Sequence, residues 1–247
     1  METEQNQENL SRKERIELRR QEKRSGENAG GGKTGRRVLI WLVVLILVGG
    51  GIYGAVKLAQ KPNPQNNTTG ALRVPVGASD WVEGNKNSKT VLVEYSDYEC
   101  PACGLFYPYV KAIVGANQDK IEFVARNFPL AQHTDAEIAA QAAEAAGKQG
   151  KFWEMHDKLF ETQADWSEKS NARDIIIGYA QELGLNVAQF KNDIDSQDIK
   201  TKIANDYQGG INSGIDATPT FFLNGQKMNP TSFDDFTNII QQAINGQ

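Results

Sequence analysis

The chain has 247 residues, 39% of them hydrophobic and 23% charged, with a formal net charge of −4. That length and composition accommodate one medium-sized globular domain with additional segments. The slight acidic excess leaves no basic surplus of the kind that binds nucleic acid.

Residues 1–37 hold ten Lys or Arg and seven Asp or Glu. The run Ser11–Arg20 has oppositely charged neighbours suited to a transient helix, but too few apolar side chains are present to form a core. We expect a solvated, disordered tail, because the interleaved glutamates dilute its basic character. Val38 to Val56 carries no charge over nineteen residues. As a helix it would be about 28 Å long, close to the thickness of the membrane hydrocarbon. A helix on a soluble core needs apolar residues on one face only, and the glycines at 49–51 are tolerated in membrane helices. The long preceding tail and the lack of a small-x-small cleavage site favour an uncleaved anchor over a signal peptide. Seven Lys or Arg in residues 18–37, against three in residues 57–76, predict a cytoplasmic N-terminus and an extracytoplasmic remainder. Residues beyond the span hold 17 basic and 24 acidic side chains, so the exported part offers no surface for nucleic acid. Residues 57–79 are polar and read as a flexible tether reaching about 25 Å, with the domain starting near Asp80 and running through residues 80–247.

Within the domain, Val91–Tyr95 and Ile121–Arg126 read as buried strands, separated by a helix over Gly104–Ala116 that Pro108 should kink. Residues 134–206 read as almost wholly helical: Ala136–Ala146, Lys151–Thr162, Asn171–Leu183, Val187–Ile194 and Gln197–Tyr207. Gly184 and Asn186 mark a stop and a restart. So long a block is an inserted helical subdomain rather than one crossover helix. Thr220–Leu223, Asn224-Gly225 and Gln226–Met228 spell a hairpin with a primed turn. Ser232 caps a final helix, Phe233–Ile244.

The only two cysteines, Cys100 and Cys103, flank Pro101-Ala102 where the first strand meets the first helix. Unpaired N–H groups and the positive dipole end of a helix stabilise a thiolate on the first thiol, and a proline suits the first turn. We therefore expect a redox-active dithiol. A zinc site needs two further ligands at short spacing, and the two histidines, His133 and His156, are distant in sequence. A structural disulfide closing so short a loop would stabilise little. Cys100, nearer the helix start, is the expected nucleophile, and Cys103 resolves the mixed disulfide.

Glu94-Tyr95-Ser96-Asp97-Tyr98-Glu99-Cys100-Pro101-Ala102-Cys103, Pro108, Asn127-Phe128-Pro129-Leu130, Gly150-Lys151-Phe152-Trp153-Glu154-Met155-His156 and Ala217-Thr218-Pro219-Thr220-Phe221 follow one another in order. Together they resemble the DsbA-like thiol–disulfide oxidoreductases over roughly residues 78–247. The resemblance implies an α/β thioredoxin-like fold with an inserted helical subdomain, often tethered to a membrane. It implies a cis Pro219 beside the cysteines, and substrate contacts from Thr218, Pro101 and Ala102. It also implies a buried acid at Glu94 with a raised pKa, relaying a proton for Cys103. No cofactor and no metal are expected. Expected partners are exported proteins bearing thiols or disulfides, and a membrane redox partner that recycles the cysteines.

His133 and His156 are read as packed or surface residues, and Trp153, Phe106 and Tyr107 as core or groove lining rather than catalysts. Strongly oxidising relatives carry a histidine between the cysteines, which this chain lacks. Asp97 and Glu99 are expected to oppose the thiolate by like-charge repulsion, which argues against a very strong oxidant. The leading reading is a membrane-anchored disulfide oxidase. The alternatives are a reductase or isomerase of the same fold, a non-catalytic copper-binding assembly factor, and a peptide-binding chaperone.

Overall fold

The computed structural model describes residues 70–246, together with Lys13, Ile16, Glu17, Arg19, Arg20 and Gln21. The chain divides into two units, Met1–Asn67 and Thr68–Gln247. In the first unit, the six described residues are helical and exposed. The predicted span, Val38 to Val56, and the tether up to residue 69 lie outside the described residues. Among the described residues no helix is long and apolar enough to cross a membrane.

The second unit is built on a mixed sheet of five strands: β1 (Trp81–Gly84), β2 (Val91–Ser96), β3 (Glu122–Asn127), β4 (Thr220–Leu223) and β5 (Gln226–Lys227). Their spatial order is β1-β3-β2-β4-β5. β2 and β3 run parallel, with Glu94 opposite Ala125 and Ser96 opposite Asn127. The other neighbours pair antiparallel. Strands buried on both faces read as apolar runs without alternation, which is the pattern of Val91–Tyr95.

Successive side chains of a strand point to opposite faces, and two apolar clusters result. Leu92, Phe123 and Phe221 join one cluster, with Val110, Val114, Phe236 and Ile240 from the helices α1 (Pro101–Ala116) and α8 (Phe233–Asn245). Val93, Tyr95, Val124 and Phe222 join the other, with Phe128 and Ile215.

Six helices lie between β3 and β4: α2 (Ala136–Gly147), α3 (Phe152–Glu161), α4 (Gln163–Trp166), α5 (Ala172–Glu182), α6 (Val187–Asp193) and α7 (Gln197–Asn212). The alanines of α2 are almost all buried, because small side chains let neighbouring helices close on it from several sides. Asn186 caps α6 by accepting from the Gln189 N–H. At the hairpin, Asn224 and Gly225 take φ values of 50° and 79°, as a primed turn requires.

Three expectations are corrected. The tether does not extend to residue 79. Ala71 bridges Gln226, Leu72 N–H donates to the Gly225 carbonyl at 2.8 Å, and Arg73 N–H donates to Ser213 Oγ at 3.0 Å. The domain therefore begins near residue 70, and a polar composition hid the backbone pairing that fixes it. β1, which has no strong apolar alternation, was not anticipated as a strand. Third, α7 continues to Asn212, five residues beyond the expected end, through Gly209 and Gly210. Those glycines are needed for close approach, since a Cβ on Gly210 would lie 2.6 Å from the Phe128 ring.

Candidate active site

β2 delivers its chain to the carboxyl edge of the sheet, and α1 starts there. Cys100 is the N-cap of α1, with Pro101 in the first turn and no side chain capping the free amides. Those amides are left to face a sulfur atom. Helix hydrogen bonding begins with Gly104 N–H donating to the Cys100 carbonyl at 3.1 Å. The helix thus opens three residues before its expected start at Gly104 and takes both cysteines into its first turn. It is continuous through Pro108.

The loop is held from outside. Gln163, at the start of α4, donates through Nε2 to the carbonyls of Tyr98 at 2.6 Å and Cys100 at 3.0 Å. Gly104 makes room for it, because a Cβ there would lie 2.7 Å from Gln163 Oε1. We expect Gly104→Ala to displace Gln163 and to leave two carbonyls beside the cysteines without this donor. Each lost bond is worth about 1 kcal/mol, so chemical denaturation should read a stability loss of about 1–2 kcal/mol. An unchanged midpoint would show that Gln163 does not brace the loop.

The carboxylates of Asp97 and Glu99 are buried and fully occupied. Asp97 accepts from Glu99 N–H through Oδ1 at 2.8 Å and from Leu130 N–H through Oδ2 at 2.8 Å, and Oδ2 also lies 2.7 Å from His133 Nδ1. Glu99 accepts from Ser167 Oγ at 3.1 Å, Glu168 N–H at 3.0 Å and Asp135 N–H at 2.6 Å. Each carboxylate is held by donors of the surrounding loops. Neither is among the largest influences on the Cys100 thiol, which is lowered rather than raised, and the expectation that they suppress its thiolate is corrected accordingly.

Both cysteines are reduced. Cys100 is 7% exposed and Cys103 is fully buried. A hydrogen bond from the Cys103 thiol, outweighing burial, brings the Cys100 thiol down to about 5, helped by Thr218 and the amides of Cys103 and Ala102. Burial pushes the Cys103 thiol up, as do its bond to Cys100 and the charge of Glu94. The Asp97 N–H lies 3.5 Å from Cys103 Sγ. Glu94 is 3% exposed, on the sheet face under α1, and burial pushes its carboxyl up to about 8. The buried acid expected from the resemblance is therefore inside the core, not on a solvent face.

Thr218 and Pro219 reach the cysteines from the loop before β4, joined by a cis peptide bond. The Cys100 thiol lies 3.4 Å from the Thr218 carbonyl oxygen and donates to it. The Thr218 hydroxyl is buried without a partner among the described residues, which leaves it available as a donor once the sulfur ionises. Pro101 is exposed and Ala102 partly so. Cys100, Thr218, Pro101 and Ala102 thus lie together at the start of α1, with Cys103 and Glu94 buried beneath them.

His133, expected as a packed or surface residue, is partly buried beside the cysteine loop. Besides its contact with Asp97, its imidazole pKa is raised against burial by the Asp97 bond and charge and by the charges of Cys100 and Glu99. An imidazole whose protonated form is favoured by the Cys100 charge thus comes from the loop after β3 rather than from between the cysteines. Parallel pairing of β2 and β3 makes this readable in principle, because the segments leaving their carboxyl ends must be neighbours. His156 is packed as expected, against Tyr98, Trp153 and Phe160. Phe106 packs on Phe221 and Phe236.

Residues 78–242 match the thioredoxin family model. Among curated proteins, the chain is similar to the Na(+)/H(+) antiporter NhaA 1 of Salinispora arenicola, at 39% identity over 158 residues covering 63% of this chain and 23% of the antiporter. It is also similar to the Na(+)/H(+) antiporter NhaA of Herminiimonas arsenicoxydans, at 36% identity over 149 residues covering 60% of this chain and 23% of that one. The chain therefore spans less than a quarter of the length of these relatives. Among solved structures it is similar to oxidised BdbD of Bacillus subtilis, with 23% identity, TM-score 0.61, and coverage of 72% of this chain and 99% of that one. Wolbachia pipientis alpha-DsbA1 gives 24% identity, TM-score 0.61, and coverage of 71% and 95%. A thioredoxin-like oxidoreductase of Silicibacter pomeroyi gives 25% identity, TM-score 0.57, and coverage of 69% and 92%.

Proposed function

The chain belongs to the thioredoxin family, and from that premise we propose that it is a thiol–disulfide oxidoreductase that donates its Cys100–Cys103 disulfide to exported proteins. In the oxidised protein a substrate thiolate attacks Cys100 Sγ. The Cys100–Cys103 bond breaks, its electron pair goes to Cys103, and Cys103 takes a proton from Glu94. A mixed disulfide now joins the substrate to Cys100. A second substrate thiolate attacks the substrate sulfur of that bond and expels Cys100 as a thiolate. The substrate leaves oxidised, and the protein holds the two electrons as a dithiol.

The observation that carries donation over reduction is the separation of the two thiols. A Cys100 thiol near 5 is ionised about a hundredfold over at pH 7 and is a good leaving group. Stabilising that thiolate stabilises the dithiol form, which draws electrons onto the protein. The Thr218 N–H, which makes no hydrogen bond among the described residues, and the Thr218 carbonyl suit a backbone contact with an extended substrate, which tolerates many sequences. Glu94, buried and protonated through neutral pH, suits the proton role.

The charge-free run Val38–Val56 would anchor the chain in the cell membrane, with residues 1–37 cytoplasmic and the thioredoxin domain outside, where disulfides persist. Because the chain has only two cysteines, a separate membrane redox partner must reoxidise them. The deciding measurement is the reduction potential in glutathione buffers, read by thiol trapping. Donation requires a value toward about −120 mV, whereas one near about −270 mV makes the protein a reductase. If no reversible disulfide forms, oxidoreductase chemistry is ruled out and metal binding by the cysteines becomes the reading to test.

His133 enters as a positioning charge. We expect His133→Gln to raise the Cys100 pKa, seen as an upward shift in the titration of thiolate absorbance, and to lower the reduction potential. An unshifted titration would mean that the Asp97–His133 pair acts on loop structure alone.

A further inference from the structure

Glu94 exchanges a proton with Cys103 from inside the core, so that proton needs a way to solvent. On the side away from the cysteines Glu94 borders a cavity of about 40 Å³. A cavity needs roughly 10–15 Å³ to hold a water molecule, so this one has room for a short water chain. Besides Glu94, its polar lining is Glu83 from β1, Tyr107 and Lys111 from α1, and His156 and Asp157 from α3, and Val110, Val114, Phe123 and Phe160 line the remainder.

The polar wall has two unlike carboxylates. Asp157 is locked, with Lys111 Nζ at 3.0 Å and His156 Nδ1 at 3.3 Å. These partners outweigh burial and hold its carboxyl below the usual range. Glu83 has no hydrogen bond or ion pair among the described residues, and burial together with the Asp157 charge raises its carboxyl. Glu83 is opposite Phe123, and Glu94 is opposite Ala125. The two glutamates therefore lie on one sheet face with β3 between them, about 10 Å apart across the strands and offset by two residues, about 7 Å, along them. No hydrogen bond joins them among the described residues, and both line the cavity, which leaves water to bridge them.

We propose that Glu83 is the surface terminus of a proton route to Glu94, running through water in this cavity. The proposal rests on the reading of Glu94 as the proton partner of Cys103. When the disulfide is attacked, Cys103 leaves with the electron pair of the broken bond and takes the Glu94 proton. The Glu94 carboxylate is then reprotonated along the waters by Glu83, which recovers its proton from solvent. One proton enters per disulfide reduced, and in the reverse reaction it leaves the same way. The titratable groups around Glu94 along this route are Tyr107 and Lys111 on α1, Glu83 on β1, and His156 and Asp157 on α3, with Cys103 and Tyr98 also within reach of its charge. Among these, Glu83 is the carboxyl free to change its protonation.

The test uses the full chain, reduced at its cysteines and mixed with excess disulfide peptide at pH 7, with single turnovers stopped by acid, because in this direction Glu94 starts protonated and must lose its proton along the route before it accepts the one on Cys103. Glu83→Gln should slow the step about tenfold, less than the roughly hundredfold or more lost with a direct general acid or base, because Glu83 acts only through Glu94. Concentrated imidazole buffer, a diffusible proton carrier, should restore the rate, while the unsubstituted protein stays insensitive to buffer. The reduction potential should not move, because a route changes rate and not equilibrium. An unchanged rate in Glu83→Gln, or a loss that buffer does not restore, overturns the route. Glu94→Gln separates the two readings. If it is slow while Glu83→Gln is not, only the route falls, and if Glu94→Gln is itself as fast as the parent, the proton role of Glu94 falls too.

Discussion

Cys100→Ser reduces turnover to the uncatalysed rate of thiol–disulfide exchange, and Cys103→Ser turns the protein into a trap for its substrates. The asymmetry follows from the depth and chemistry of the two sulfurs. Cys100 retains some exposure and a thiol near 5, whereas Cys103 is sealed beneath it with a raised thiol. Only Cys100 can meet a substrate, and only Cys103 can release one by attack from within. Non-reducing gels of Cys103→Ser should show mixed disulfides that disappear on reduction. Equal trapping by both single variants would contradict the assignment.

The same pair predicts a dependence of stability on pH. In the reduced protein the Cys100 thiol is depressed to about 5 from an ordinary 9.0, so the unfolded chain binds the extra proton between those values. The resulting stabilisation is fully present above pH 9, shrinks as pH falls, and is gone below about pH 5. Glu94 has the opposite sign. Its carboxyl is raised to about 8 from 4.5, so its contribution is fully present below 4.5 and is lost as pH rises through 8. Glu94 is present in both redox forms, while the Cys100 thiolate exists only in the reduced one. Unfolding free energies of the reduced minus the oxidised protein should therefore rise with pH from about 5 to 9 and then fall, because the raised Cys103 thiol, also present only in the reduced form, holds its proton after the unfolded chain has lost it. A flat difference would mean that the Cys100 thiol is not depressed.

Arg126→Met should destabilise the domain by about 3–5 kcal/mol, the range for removing one partner of a buried ion pair. The Arg126 and Asp80 side chains are 2% and 5% exposed and 2.8 Å apart. Arg126 also donates to Tyr95 Oη and to the carbonyls of Val74 and Pro75. Burial alone would raise the Asp80 carboxyl, but Arg126, the Gly77 N–H and a more distant Lys202 charge hold it low. Without Arg126 that carboxylate is buried unpaired and residues 74–80 lose their anchor. Urea unfolding should read the loss, and proteolysis should begin cutting within residues 70–80. A loss under about 1 kcal/mol, the range of exposed pairs, would place this pair at the surface in solution.

Legibility in the sequence followed the range of the interactions. Apolar runs and turn residues mark β2, β3, the β4–β5 hairpin and most helices, because those elements are specified by neighbours in the chain. The ordered segment 70–79 and β1 were missed because pairing through backbone N–H and C=O groups leaves little trace in side chains. The cysteine pair was legible because its chemistry is local. His133, Gln163 and Glu83 were not, since each acts on residues brought near only by the packing of separate elements. Asp97 and Glu99 were seen but misjudged, because a carboxylate's effect depends on which donors surround it.

Asp97, Glu99 and Gln163 grip the cysteine loop from the segments at 130–135, 163 and 167–168, and none of these bonds uses the side chains of Pro101 or Ala102. The intervening dipeptide is therefore a tuning position mechanically decoupled from its mount. Lineages or engineers can exchange those two residues to retune the electron affinity of the disulfide while the scaffold keeps its shape, so redox strength can diversify far faster than the fold that carries it.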